Sequence, residues 1–414
     1  MNLKQQLQQL RSPTRFERTP ERLLMIMAAA VPLSFATWMV LLDNFAIHQT
    51  GFTGREIGIL QSLREIPGFL AFAVVFLLLV IREQRLAVVS LLLLGIGTAI
   101  TGFFPYAIGL YFCTVLMSVG FHYYETLQTS LTLQWIDKEK TAITLGKLIA
   151  VGSFSGLLAY ALVFLVSRQL MLDALWIYLI AGSATVALAL IAWMQFPAFP
   201  QRVAQHKHIV LRRRYWLYYA LTFMSGARRQ IFVVFAGFLM VEKFGFDISD
   251  IALLFLINAV LNMIFAPRIG RWISRIGERP ALLVEYAGLM LIFTTYAFVE
   301  HAGLAAVLYV LDHLFFALAI AIKTYFQKIA DERDIASTAG VSFTINHIAA
   351  VFLPVVLGLV WLHSPAAVFL TGTALAACSL ILSLCIPDDP APGNEHRLNR
   401  AEQHSSTVTV SART

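Results

Sequence analysis

The residues able to do chemistry are ionisable groups standing inside long apolar runs. The stretch MSGARRQIFVVFAGF, residues 224–238, holds Arg228 and Arg229 side by side. Each arginine at the centre of a membrane span costs roughly 2.5–3.5 kcal/mol on insertion scales, so the pair needs a partner or a ligand. A guanidinium presents a planar fork that fits carboxylate or phosphate. Neighbouring helical residues point about 100° apart, so the two arginines face different surroundings. One reading sends Arg228 into a cavity and Arg229 to a carboxylate, with the roles exchangeable. The other is a buried ion pair with Glu65 or Glu125 that holds helices together.

Other polar groups fall at similar depth. Ser118, His122, Glu125 and Thr129 are spaced 4, 3 and 4, which places them on one helical stripe flanked by Tyr124 and Gln128. Glu65, Asn258, Asp312 with His313, and Asn346 with His347 also stand within apolar segments. A polar stripe through a membrane helix must face water or protein, since lipid cannot satisfy it. Glu125 beside His122, or Asp312 beside His313, has the chemistry to carry a proton. The same His and acid residues are metal-ligand types, but their spacing is weakly specific and nearby arginines oppose a bare cation. GSFSG at 152–156 lacks the order of a serine-nucleophile elbow and reads as helix-packing glycine and serine. LGKL at 145–148 is not a nucleotide-binding loop. No cofactor is expected.

The elements that must position these groups follow from composition. Of 414 residues, 58% are hydrophobic and 13% charged, against about 25% charged in soluble domains. An all-α integral membrane protein is expected. The net charge of +7 reflects basic loops on one membrane face and gives no reason to expect nucleic acid. Apolar runs fall at 22–47, 55–80, 86–105, 107–134, 141–166, 171–195, 215–241, 249–270, 280–300, 303–328, 336–361 and 365–386. Each approaches the roughly 20 residues that cross a bilayer. Lys and Arg gather in alternate loops, including Arg82, Arg85, Lys138, Lys140, Lys207, Arg212, Arg213, Arg214, Arg268 and Arg271. That asymmetry predicts cytoplasmic termini. The expected organisation is an N-terminal segment 1–22, a six-helix bundle 23–195, a linker 196–214, a second bundle 215–386 and a disordered tail 387–414.

The halves repeat at an offset of 194 residues. GFTGREI at 51–57 aligns with GFDISDI at 245–251, and DKEKTAITLG at 137–146 with DERDIASTAG at 331–340. Six spans per unit make the repeats parallel, which predicts a site between them near the midplane. The loop GRWISRIGERPALL from Gly270 carries Gly270, Arg275, Gly277 and Arg279 in the spacing of a known loop signature, with Ser274 where an aspartate is expected. On these residues the chain resembles the major facilitator superfamily over nearly its whole length. In the first half only Arg85 survives of that signature.

The resemblance implies twelve transmembrane helices as two six-helix parallel repeats. It also implies gating roles for the loop residues and peripheral positions for spans 3, 6, 9 and 12. The expected function is secondary transport of a small polar or anionic solute by alternating access, coupled to protons, by a monomer in the cell's inner membrane. Multidrug efflux and divalent-metal transport are alternatives on the same fold. An intramembrane enzyme and a transporter-like sensor are alternatives of another class.

Overall fold

The computed structural model describes residues 18–71, 74–78, 80–136, 138–200, 211–331 and 335–397. Parts of the expected terminal segments and of the linker lie outside these residues, as do Asp137 and residues 332–334 of the second repeat signature. The described residues form an all-α chain without a strand. Its principal helices are α1 (Pro20–His48), α2 (Gly54–Phe69), α3 (Glu83–Ile100), α4 (Ala107–Trp135), α5 (Lys138–Gln169) and α6 (Ala174–Gln195). The second six are α7 (Arg213–Phe244), α8 (Ile248–Ile276), α9 (Glu278–Ala297), α10 (Ala302–Ile329), α11 (Ile335–Trp361) and α12 (Pro365–Leu384). We call the end of the bundle holding Pro20 and Leu384 the near end, and the opposite end the far end.

The repeat has a local physical cause. Gly51 and Gly245 both adopt left-handed backbone, with φ of 67° and 68°. Each closes the turn between two helices, and a side chain at either would be strained. Phe52 N–H donates to Ala46 O at 2.9 Å, and Phe246 N–H to Met240 O at 3.1 Å. Thr53 with Glu56 then caps α2, and Asp247 with Asp250 caps α8, each as a reciprocal capping box. Every member of one set stands 194 residues from its mate. The aligned heptapeptides are thus one stop-turn-start device used twice.

Packing obeys the same symmetry. Between the halves, α2 packs on α11 and α5 on α8, so the second and fifth helices of each unit exchange partners. The α2–α11 seam is narrow at the far end. A Cβ on Gly58 would come 2.2 Å from the Pro354 carbonyl oxygen, and Gly358 lies against Gly54. Trp361 covers Gly54, donates to Glu242 Oε2 at 2.9 Å, and stacks with Phe235.

Three expectations need correction. The second span does not run unbroken over 55–80. Among the described residues, eleven helices are long and apolar enough to cross a membrane, and α2 is not among them. It carries Gln61, Ser62, Arg64 and Glu65 in its middle, ends at Phe69, and is followed by a single helical turn at Val74–Leu77. Second, α9 is not merely peripheral: Glu285 is wholly buried and points at Arg228. Third, the tail is ordered from Pro387 to Arg397. Arg397 N–H donates to Cys385 O, the Tyr325 hydroxyl donates to the Glu395 carbonyl, and His396 packs on Trp216. The polar composition of this segment serves partners offered by the near ends of α7, α9 and α10.

Candidate functional site

The two arginines part company. Arg228 is 0% exposed, and its Nη2 donates to Glu285 Oε1 at 3.4 Å. Its guanidinium carbon lies 4.4 Å from the Tyr286 ring centroid. Asp312, also buried, interacts electrostatically with both Arg228 and Glu285. One guanidinium thus pairs with one carboxyl, Glu285, and a second buried carboxyl, Asp312, lies within electrostatic range of both. Several of their atoms have no protein partner: Arg228 Nε and Nη1, Glu285 Oε2 and Asp312 Oδ1. Arg229 is exposed and interacts electrostatically with Glu65 and Glu125 of the first half and with His347 of its own half. Of the two exchangeable roles, the exposures give the reverse of the first assignment, and the expected partner is corrected. Arg228 takes the ion pair, and its partner is Glu285 instead of Glu65 or Glu125. Arg229 takes the open position.

The stripe on α4 is graded. Ser118 donates to the Arg64 carbonyl, and His122 is buried. Glu125 and Thr129 are exposed. Tyr124, Glu125, Gln128 and Thr129 line a cavity of about 320 Å³ between α1, α4 and α5, with Pro32 and Phe121. Tyr124 is 1% exposed and its hydroxyl has no partner.

A second cluster joins the halves. Arg64 donates from Nε to Glu65 Oε1 at 3.1 Å and from Nη2 to the same oxygen. Glu65 Oε2 faces His347 Nε2 at 3.5 Å. His347 Nδ1 lies 2.8 Å from the Phe343 carbonyl oxygen, and the His122 and His347 rings meet edge to face. Gly68 makes this possible, since a Cβ there would come 2.5 Å from His347 and 2.8 Å from His122.

The remaining expected residues disperse. His313 bonds its own helix through the Tyr309 carbonyl and packs on Phe232. Asn258 is buried on α8 with neither amide atom partnered. Asn346 lies over Gly226 on α7. Of the loop residues, Gly277 takes φ of 88° at the α8–α9 junction, and Gly270 precedes it on α8. Arg275 is exposed. Arg279 Nη1 donates to Asp388 Oδ1 at 2.8 Å, and Arg397 Nη2 to Asp388 Oδ2 at 2.8 Å. Those bonds, from Arg397 first, hold the Asp388 carboxyl below its ordinary range. Arg85 lines a separate cavity of about 380 Å³ at the near end of the first half.

Sequence reasoning missed Arg64, Glu285 and Asp388. Arg64 adjoins Glu65 in an apolar segment, a signal equal to that of Arg228 and Arg229. Glu285 lies on span 9, which the family resemblance makes peripheral. Asp388 sits in a segment read as unstructured.

The chain matches the family model described as Major Facilitator Superfamily over residues 24–354, and again over 218–412. The chain belongs to the major facilitator superfamily. No curated protein matches it in sequence. Among solved structures, an aspartate-to-alanine mutant of the nucleoside transporter NupG superposes with a TM-score of 0.73 at 14% identity, covering 88% of this chain and 99% of that one. NupG itself gives 0.68 at 17% identity, covering 88% and 97%. A bacterial homolog of the human lysosomal transporter Spinster, inward-facing and unoccupied, gives 0.66 at 13%, covering 88% and 94%. The superfamily fold of twelve helices in two sets of six accounts for the architecture. It identifies the chain as an integral membrane transporter of small molecules, and the enzyme alternative falls away with it. Ser155 of GSFSG accordingly donates to the Ala29 carbonyl at 2.6 Å, between packed helices.

Proposed function

We propose that this superfamily member moves a small polar solute bearing an anionic group by alternating access, driven by protons. The observation that carries this reading is the divided arginine pair. Arg229 is left exposed between the halves and opposite Glu125. It offers a guanidinium fork to a carboxylate or phosphate, within electrostatic range of Glu125, which lines the first-half cavity with Gln128 and Thr129. Arg228 has the other duty. Glu285 pairs with it and the buried Asp312 interacts electrostatically with both, so these groups carry one negative charge too many unless a proton sits on Glu285 or Asp312. Burying an uncompensated charge is costly. Taking up that proton and giving it to the other side supplies a coupling step.

The bundles 23–195 and 215–386 would rock about the α2–α11 and α5–α8 seams. From the Lys and Arg asymmetry of the loops we propose that both termini are cytoplasmic; we further propose that the protein works as a monomer in the inner membrane. The test is flux into proteoliposomes under an imposed pH gradient. A thermal-shift screen should first choose the solute, with anions first and nucleosides included, since a ligand stabilises the folded state by mass action. Arg229→Ala and Glu125→Gln are each expected to stop flux while the purified protein keeps its thermal transition. Normal flux in both removes the site.

A further inference from the structure

We propose that Glu65, His122 and His347 form a site for one divalent transition-metal ion of the zinc or cobalt class, and that the bound ion staples the two halves together. The donor set is already gathered. One ligand atom from each residue lies within 4.8 Å of the other two, and all three residues are buried. The Glu65 Oε2 to His347 Nε2 separation is 3.5 Å. A tetrahedral site with bonds of about 2.1 Å has donor-to-donor edges of roughly 3.4 Å. That pair is therefore already at ligand spacing. His122 reaches the third vertex by a modest ring movement, and water supplies the fourth.

The surroundings orient these donors as outer groups orient metal ligands. The Phe343 carbonyl accepts from His347 Nδ1, which leaves the Nε2 lone pair aimed at Glu65. Arg64 engages only Oε1 of Glu65, which leaves Oε2 for an ion. His122 is 5% exposed, and its Nδ1 has no partner. A buried ring nitrogen without a partner is costly to leave so, and a ring turn toward the ion relieves it. Gly68 keeps the floor of the site clear of any side chain.

Two imidazoles and one carboxylate select borderline metals over magnesium or calcium, which take oxygen ligands. Arg64 and Arg229 carry positive charge nearby, so affinity is moderate, below that of a closed structural zinc site. Glu65 on α2 and His122 on α4 belong to the first half, and His347 on α11 to the second. An ion held by all three fixes the arrangement in which α2 and α11 touch along the far-end seam. It acts as a lock on rocking and not as cargo. The site rests on neither the solute nor the proton proposed above, while its action as a lock rests on the alternating access proposed there.

The test is a cobalt(II) titration of the purified full-length protein in detergent. One equivalent is expected, with the ligand-field absorption of a four-coordinate nitrogen and oxygen site. His122→Gln and His347→Gln should each weaken binding by about tenfold or more. Unchanged affinity in both variants, or no ligand-field bands, overturns the site and leaves an adventitious ion only. If the variants do not fold, cobalt-edge X-ray absorption on the unmodified protein decides. Two imidazole shells support the site, and an oxygen-only shell refutes it. In liposomes, micromolar zinc should suppress flux in the unmodified protein and not in a folded histidine variant. A protein that binds cobalt but shows no flux would leave the metal site standing and the transport reading in difficulty.

Discussion

Replacing Arg228 by Met tests the buried cluster most directly. The Arg228 to Glu285 distance is 3.4 Å, so unit charges there attract by about 5 kcal/mol at an effective dielectric near 20. Removing one partner of a buried pair costs about 3–5 kcal/mol, because the other charge is left uncompensated. The guanidinium stack on Tyr286 is lost as well, which adds about 1 kcal/mol. Arg228→Met alone should therefore destabilise by about 4–6 kcal/mol. Glu285→Met alone should cost less, because Asp312 remains to face the guanidinium. The double variant should recover at least about 2 kcal/mol of the summed single losses, since an apolar replacement of a whole buried pair is often neutral. Reversible unfolding in mixed micelles by increasing denaturing detergent reads all four corners of the cycle. Additivity within about 0.5 kcal/mol would mean that the two groups do not interact, and the account of Arg228 would be wrong.

Three other outcomes follow from the geometry. Gly51→Ala and Gly245→Ala each force a side chain into the left-handed region. Each should cost about 1–2 kcal/mol by the same unfolding assay, and a neutral result at both would undo the repeated-turn explanation. Gly58→Leu drives a side chain into the Pro354 carbonyl on α11. It should part the far-end seam, seen as faster labelling of a cysteine placed at Ser62, whose hydroxyl now accepts from Val355 N–H; unaltered labelling contradicts the close packing. The Asp388 carboxyl has a folded pKa held down by Arg397 and Arg279. Its contribution is present above about 3.9, the unfolded value, and is lost as pH falls through the lowered folded value. The segment should stay docked from pH 7 to 5, while Asp388→Asn should release it at pH 7, read as trypsin cleavage at Arg397. Equal cleavage of both proteins would show that the carboxylate does not hold the tail.

Much of the fold was legible because its signals are strong and local. Twelve apolar runs, a gapless 194-residue offset and paired glycine turns leave few alternatives to two sets of six helices. The site was legible only as a set of candidates. Hydropathy places Arg228 and Arg229 at mid-span but does not say which turns inward, because that depends on which neighbour offers a carboxylate. Glu285 answers that question from a helix that the family resemblance places at the periphery. The break in α2 was hidden because an apolar run beyond Phe69 continues the hydropathy after the helix has ended. Asp388 was hidden because a short polar segment looks the same in sequence whether it floats or finds partners.

The two anchored chain segments make the protein a gauge of its own motion. The Gln84 side chain grips the start of the connector, donating to the Pro197 carbonyl and accepting from Phe199 N–H. Residues 197–199 thus ride with the first half. Residues 387–397 ride with the second half, through Tyr325, Arg279 and Cys385. A spectroscopic label at Ala198 and another at the exposed Pro392 would sit on different halves, both at the near end, and would leave the Arg397–Asp388 contact in place. Their separation would report how widely that mouth gapes at each stage of a cycle, without touching a single residue inside it.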